Sequence, residues 1–433
     1  MPRPQLADFM RQIGADSVAI IPSSLETTRS HDTHYRHRQD SDFFYLTGFD
    51  EPDSIAVIAP AHPEHQYMLF VRPRDPEREI WDGRRAGVEG AVRDHGAQAS
   101  FPVEEFPAKL GELLTNVKNL YYRIGSPARR DLDEVVLRQI ARLRTLSRKG
   151  IYAPQAIIDP ASVIHEMRLV KGEGELSVMQ RSVDIAADAH REAMKNTRPG
   201  MNEYEVEALI EYVFRRSGAA APAYTSIVGG GANATVLHYI NNDAELRDGD
   251  LLLVDAGAEY QGYASDITRT FPVNGRYTEA QRDVYRTVLD AQMRCIERVR
   301  PGVSMDELHN YSIELLTEGM LSLGLLTGDA KKLIEEEAYK KFYMHRLGHY
   351  LGMDVHDAGF YHVGGESRRL QPGMVITVEP GLYISESAEN IPDQYRGIGI
   401  RIEDDVLVTE DGARVLSSKA PKEMDEIEEL MRG

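Results

Sequence analysis

A chain of 433 residues exceeds the size at which one hydrophobic core stops growing, which predicts two domains, or three. Its 50 basic and 69 acidic residues leave a formal charge of -19, which favours solubility and argues against a surface built to track nucleic-acid phosphates. The single cysteine, Cys295, excludes an intramolecular disulfide and a cysteine-cluster metal site.

The opening MPRPQLADFM has neither a basic n-region nor an apolar h-region. No apolar run reaches the roughly 18 residues of a membrane span, so the expectation is a cytoplasmic protein without a membrane or nucleic-acid partner. Up to residue 160, short β-like runs (residues 17–21, 54–58 and 67–71) alternate with helical stretches (107–116 and 132–147), the pattern of an α/β domain. Asp159-Pro160 marks a plausible break, and the expected domains are 1–165, α/β, and 166–433. Residues 170–197 keep helical spacing of apolar side chains until Arg198-Pro199-Gly200 stops them.

Residues 198–257 and 300–381 then read as a duplication. Arg198-Pro199-Gly200 is echoed by Arg300-Pro301-Gly302, and each is followed by a capping-box signature, Asn202 to Glu205 and Ser304 to Glu307. "LRDGDLLLVDAG" (246–257) matches "LQPGMVITVEPG" (370–381) position for position, placing Gly249 on Gly373, Asp255 on Glu379 and Gly257 on Gly381. Each copy is a turn, an apolar strand and a carboxylate at its end. A helix-plus-strand unit used twice predicts a pseudo-twofold α+β domain with the two carboxylates near its axis.

Asp266 lies eleven residues after Asp255. A hairpin through residues 259–262, with Gly262 at positive φ, would centre between Tyr260 and Gln261 and set Asp255 against Asp266. Opposed like charges destabilise a sheet, and a cation between them removes the conflict. In "GIGIRIEDDVLV" alternation puts Arg401 and Glu403 on one face and Ile400 and Ile402 on the other. Taken singly, Glu379 and Glu403 would more often be salt-bridged or edge-strand residues. "MHRLGHYLGMDVHDAG" adds His345, His349 and His356; His345 and His349 stand four apart, like one face of a helical turn, and Gly348 and Gly352 allow close backbone approach. Any one of the three is more often structural, but three so close in a chain with four strand-end acids point to a site. Four carboxylates and one imidazole favour Mn2+ or another oxygen-preferring ion, and the number of acids favours two ions.

The set Asp255, Asp266, His349, Glu379 and Glu403 resembles the metal-ligand pattern of the creatinase-like "pita-bread" metallopeptidases. The resemblance implies that Asp255 binds one metal, that Asp266 and Glu403 bridge both, and that His349 and Glu379 complete the other. It further implies that His238 and His356 hold the substrate and its tetrahedral intermediate, that Arg401 supports Glu403, and that His345 is a further catalytic histidine. In the N-terminal half, residues 35–58 and "EIWDGRRAG", with Trp81, Arg84 and Arg85, are similar to signatures of the aminopeptidase P branch. From the residues alone, Phe43, Phe44, Tyr45 and Phe49 read as core; Trp81, by resemblance, walls the substrate cleft, of a neighbouring subunit in one reading, and Tyr383 joins it as a substrate contact.

The expected fold is therefore an α/β N-terminal domain followed by an α+β pseudo-twofold pita-bread catalytic domain. The expected function is hydrolysis of the bond between an N-terminal residue and a penultimate proline, through a hydroxide bridging two metal ions, most readily Mn2+. Peptides with proline at position two would be the substrates, and the resemblance favours a homo-oligomer, dimer or tetramer. The alternatives are a prolidase, which requires the free carboxylate of a dipeptide, and a pita-bread binding module without catalysis. Creatine hydrolysis shares the fold but needs no metal, which five intact ligands make improbable.

Overall fold

The structure, a computed structural model, describes residues 3–432. The chain divides into two compact units between Met167 and Arg168.

In the first unit six strands, β1 (Ser17–Pro22), β2 (Ile55–Ile58), β3 (Tyr67–Val71), β4 (Ala99–Pro102), β5 (Asn119–Tyr121) and β6 (Ala156–Ile158), form one mixed sheet in the order β4-β3-β2-β1-β5-β6. β2 and β3 are buried throughout, which explains why they read as unbroken apolar runs rather than alternating ones. Helices α1 (Phe106–Leu113) and α2 (Arg130–Arg144) cover the sheet with Phe106, Leu110, Leu132, Val136 and Ile140. Of the four aromatics read as core, Phe43, Tyr45 and Phe49 are buried and Phe44 is only half-buried. The helix Pro76–Asp82, which carries Trp81, buries none of its residues.

The second unit realises the duplication. Helices α3 (Glu173–Asn196) and α4 (Glu203–Arg216) flank the first Arg-Pro-Gly, and α5 (Glu279–Arg298) and α6 (Met305–Ser322) flank the second. Gly200 and Gly302 turn the chain at φ 89° and 86°, and Gly249 and Gly373 at 91° and 89°, a left-handed conformation that glycine adopts without a Cβ clash. The same hydrogen bonds recur: Gly200 N donates to Leu246 O (2.8 Å) and Gly302 N to Leu370 O (2.9 Å). In both copies the glutamate caps the helix start, Asn202 N donating to Glu205 Oε2 at 2.7 Å and Ser304 N to Glu307 Oε2 at 2.9 Å, but the reciprocal bond is made only in the second, Glu307 N donating to Ser304 Oγ at 3.2 Å.

Both halves then enter strands: β7 (Ile227–Gly230), β8 (Leu251–Asp255), β9 (Ala258–Tyr260), β10 (Tyr263–Ala264) and β11 (Thr268–Pro272) in the first, and β12 (Val375–Val378), β13 (Gly381–Ile384), β14 (Ile398–Arg401) and β15 (Asp404–Val408) in the second. β8 pairs with β7 and β11, β12 with β15, and β13 with β14, all antiparallel. Among the described residues no helix is long and apolar enough to cross a membrane.

Candidate metal centre

The first hairpin departs from its expected register. Gln261 takes φ 50° beside Gly262 at 80°, a two-residue turn with both central residues left-handed, and Tyr260 pairs with Tyr263. Asp255 therefore faces Thr268, not Asp266. A non-glycine residue at positive φ is not legible from residue type, and the turn centre lies one residue later than the sequence suggests, between Gln261 and Gly262. The displacement is two residues along the strand, and residues i and i+2 share a face, so Asp255 and Asp266 still converge. The Tyr224 hydroxyl sits between them, 2.6 Å from Asp255 Oδ1 and within hydrogen-bond distance of Asp266 Oδ1.

In the second hairpin Val378 pairs with Asp404, and Gly381 with Arg401. Glu379 and Glu403 thus stand opposite each other where the ladder is interrupted. The two hairpins meet through Glu403: its N–H donates to Thr268 O (3.1 Å) and its Oε2 accepts from Thr268 Oγ1 (2.6 Å).

His345 and His349 do not lie on a helical turn; their segment is irregular. Gly348 explains the path, since a Cβ there would lie 2.0 Å from Thr377 O, so the backbone runs flat against β12. His349 Nδ1 donates to Tyr350 O (3.0 Å), leaving Nε2 3.3 Å from Asp266 Oδ2 and 3.6 Å from Glu379 Oε1. Thr377 Oγ1 accepts from His349 N (3.0 Å) and lies 3.4 Å from Glu379 Oε1. Ligand atoms of Asp266, His349 and Glu403 all fall within 4.8 Å of one another.

The electrostatics of this cluster demand positive charge. Burial, reinforced by neighbouring carboxylates, raises Asp266 and Glu403 above the usual carboxylate range and Glu379 to about 7. Burial pulls His349 down, but Asp266 and Glu379 more than offset it and hold the imidazole at about 9. A set of hard oxygen donors plus one imidazole, too crowded with acids to ionise without a counter-charge, fits divalent cations.

Arg401 braces the other side. Its Nη2 donates to Asp255 Oδ2 (2.7 Å), Nε to Thr268 Oγ1 (3.1 Å) and Nη1 to the Tyr383 hydroxyl (2.9 Å). Tyr383 Oη in turn lies 2.9 Å from His345 Nε2, and His345 Nδ1 donates to Arg346 O (2.7 Å). Both His345 nitrogens are engaged, and burial together with the Arg401 charge lowers its pKa to about 3, so the ring is neutral. Tyr383, expected as a substrate contact, is 3% exposed, does not line the cavity, and has its hydroxyl engaged by Arg401 and His345.

A cavity of about 740 Å³ opens above the cluster, lined by Asp255, Asp266, His349, Glu379, Arg401 and Glu403, with His238, His345 and His356 also on its walls. The His356 ring packs edge-on against His349, centroids 4.3 Å apart. Ile227, Leu237, Ile240 and Val355 supply apolar wall. Trp81, 86% exposed in the first unit, is not among the lining residues. Sequence reasoning missed Tyr224, Thr268 and Thr377. Thr268 was within reach, two residues from Asp266 on the same strand face; Tyr224 lies in a connection without periodicity.

Residues 177–410 match metallopeptidase family M24, and residues 4–121 match the aminopeptidase P N-terminal domain. The Escherichia coli (strain K12) Xaa-Pro aminopeptidase is 45% identical over 98% of this chain and 95% of its own. Among solved structures, Pseudomonas aeruginosa aminopeptidase PepP superposes with a TM-score of 0.96 at 46% identity, covering 99% of this chain and 96% of that one. Zn-substituted E. coli aminopeptidase P in complex with product gives 0.95 at 45%, covering 99% and 97%. The duplicated unit is accordingly the pita-bread fold, and the chain belongs to metallopeptidase family M24, within its aminopeptidase P group.

Proposed function

We propose that this metallopeptidase removes the first residue from peptides whose second residue is proline, with two divalent ions held by Asp255, Asp266, His349, Glu379 and Glu403. The observation that carries this reading is the convergence of four acids and one imidazole on the floor of a cavity of about 740 Å³ with largely apolar walls. Asp255 would hold one ion, His349 and Glu379 the other, and Asp266 and Glu403 both. Such ions would polarise the scissile carbonyl and make water nucleophilic near neutral pH. The oxygen-rich donor set favours Mn2+.

The surrounding residues have separate tasks. Arg401 fixes the Asp255 carboxylate and, through Thr268, the orientation of Glu403. His238 and His356 face the cavity, where an imidazole N–H can meet the negative charge that develops on the carbonyl oxygen. His345 and Tyr383 hold Arg401. A prolyl amide has no N–H, so a site for it needs no acceptor at that point; Ile227, Leu237, Ile240 and Val355 offer apolar contact for the ring instead.

Peptides are the partners in this reading, and the charge of -19 argues against nucleic acid. A cytoplasmic place of work suits a chain whose one cysteine is free and buried. A homo-oligomer, dimer or tetramer, would give the exposed Trp81 indole a partner. Mass spectrometry of Xaa-Pro-Yaa, Xaa-Pro, Met-Ala-Ser and Xaa-Ala-Yaa, incubated with metal-stripped protein before and after Mn2+ addition, tests the function. Metal-dependent release of Xaa from Xaa-Pro-Yaa alone among the tripeptides supports it. Cleavage confined to Xaa-Pro makes the protein a prolidase, and no cleavage with any divalent ion removes the enzymatic reading.

A further inference from the structure

After β7 the chain leaves the sheet: residues 231–235 form a short 3-10 turn, and residues 236–244 have no regular structure. This loop brings Leu237, His238 and Ile240 to the cavity wall. A segment without a ladder must find partners for its polar groups elsewhere. Here four donors, one from the last residue of β7 and three from the start, middle and end of the loop, converge on one carboxylate, that of Glu203, the first residue of α4, which is completely buried. Oε1 accepts from Gly230 N (2.7 Å) and Asn233 Nδ2 (2.9 Å). Oε2 accepts from the Tyr239 hydroxyl (2.8 Å) and Ala244 N (2.9 Å).

Two further points anchor the loop. Asn242, also fully buried, accepts from Val228 N (3.0 Å) and donates to Ser226 O (2.9 Å). A Cβ on Gly399 would lie 2.1 Å from Ala234 O, so the loop rests directly on β14. His238 itself stays exposed to the cavity while the residues on either side of it are tied down.

We propose that Glu203 is a positioning residue for His238, acting through this loop; the inference rests on His238 as a substrate-facing group. A carboxylate suits the task because it only accepts, at two oxygens, and can serve four donors. A glutamine of the same shape presents one acceptor oxygen and an amide that itself donates, so two of the four donors would face another donor. The start of a helix also favours a negative charge there.

The test is a double-mutant cycle on the full-length, Mn2+-loaded protein, reading kcat and KM with an Xaa-Pro-Yaa peptide, alongside metal content and thermal midpoint. Glu203→Gln should lower kcat/KM by about 10-fold to 100-fold, as a displacement of about 1 Å at a substrate-facing group does, with metal content unchanged. His238→Ala should lower it as well. The decisive result is the pair: if Glu203 works through His238, then adding Glu203→Gln to His238→Ala costs nothing further, whereas a merely structural role makes the losses multiply. Should Glu203→Gln fail to fold, Tyr239→Phe, which deletes one of the four donors, replaces it in the cycle, with a smaller loss that again vanishes beside His238→Ala. Multiplying losses overturn the proposal alone. Unaltered kinetics for His238→Ala overturn the reading of that histidine and the proposal with it.

Discussion

Thr268 Oγ1 donates to Glu403 Oε2 across 2.6 Å, and the two residues hold the same ladder position in the two halves of the duplicated unit. Thr268 stands opposite Asp255, and Glu403 opposite Glu379, its counterpart in the repeat. By the same correspondence Asp266, across from Gly257, matches Arg401, across from Gly381. One pair of equivalent positions carries two acids, one a hydroxyl and an acid, and one an acid and a base. The scaffold is symmetric and its contents are not.

Thr268→Val keeps the shape of the side chain and removes the hydroxyl that Glu403 and Arg401 share. Loss of such an outer partner is expected to weaken metal affinity by about 10-fold to 100-fold. Titration of Mn2+ into stripped protein, followed by activity or calorimetry, reads it directly, and unchanged affinity would remove Thr268 from the centre's support.

Stability and activity should move in opposite directions at Glu403. Its carboxyl is raised well above the ordinary range by burial and by Asp266, Glu379 and Asp255. Glu403→Gln relieves that crowding, so metal-stripped protein should melt higher, by roughly 2 °C or more, the shift expected for about 1 kcal/mol. With ions supplied, kcat/KM should fall by about 100-fold or more. A lower melting point for the stripped variant would mean that the acids are not in conflict.

His190, wholly buried on α3, donates from Nε2 to Ala256 O at 3.1 Å. Burial first, and then the Arg269 charge, lowers its pKa to about 4 from the ordinary 6.5. The unfolded chain takes up this proton first, so the neutral ring's contribution is complete above 6.5 and is lost as pH falls toward 4, by roughly 3 kcal/mol at most. His190→Gln keeps a donor without a titration. The gap in unfolding free energy between wild type and variant, measured in denaturant at pH 7 and pH 4.5, should shift against the wild type at the lower pH; a constant gap would show that His190 does not titrate in this window.

Gly348→Ala drives a Cβ to 2.0 Å from Thr377 O, a backbone atom on β12, while at Gly412 a Cβ meets nothing within 4 Å. The first substitution should cost about 1–3 kcal/mol and displace His349, with loss of activity; the second should be silent within about 0.5 kcal/mol. Equal behaviour of the two in melting and kinetics would contradict the close approach.

The features legible in the sequence were those carried by residue type at fixed spacing. Arg198-Pro199-Gly200 and its echo at 300–302, and the glycines at 249 and 373, announce the repeat because only glycine holds those φ values cheaply. The buried strands of the first unit were visible as apolar runs. The register of the Asp255 hairpin was not, since it turns on Gln261, a residue that usually avoids positive φ. Nor was Tyr224, whose hydroxyl reaches the carboxylates from an irregular connection. The engagement of both His345 nitrogens depends on Tyr383 and Arg346, and only the fold brings the tyrosine there.

Asp255, Glu379 and Glu403 project from strand ends or from the break between two ladders, not from the tips of loops. Opposed positions on antiparallel strands are separated by roughly 4.5 to 5.5 Å between Cα atoms, a distance fixed by backbone hydrogen bonding. The spacing of Glu379 and Glu403 is therefore inherited from strand pairing, while the residues around the opening, His238, His356 and their neighbours, ride on segments outside it. Substitutions and insertions in those segments can change which peptide enters without altering the span between the carboxylates. Selection for new substrates and preservation of the reaction thus act on separate parts of one chain.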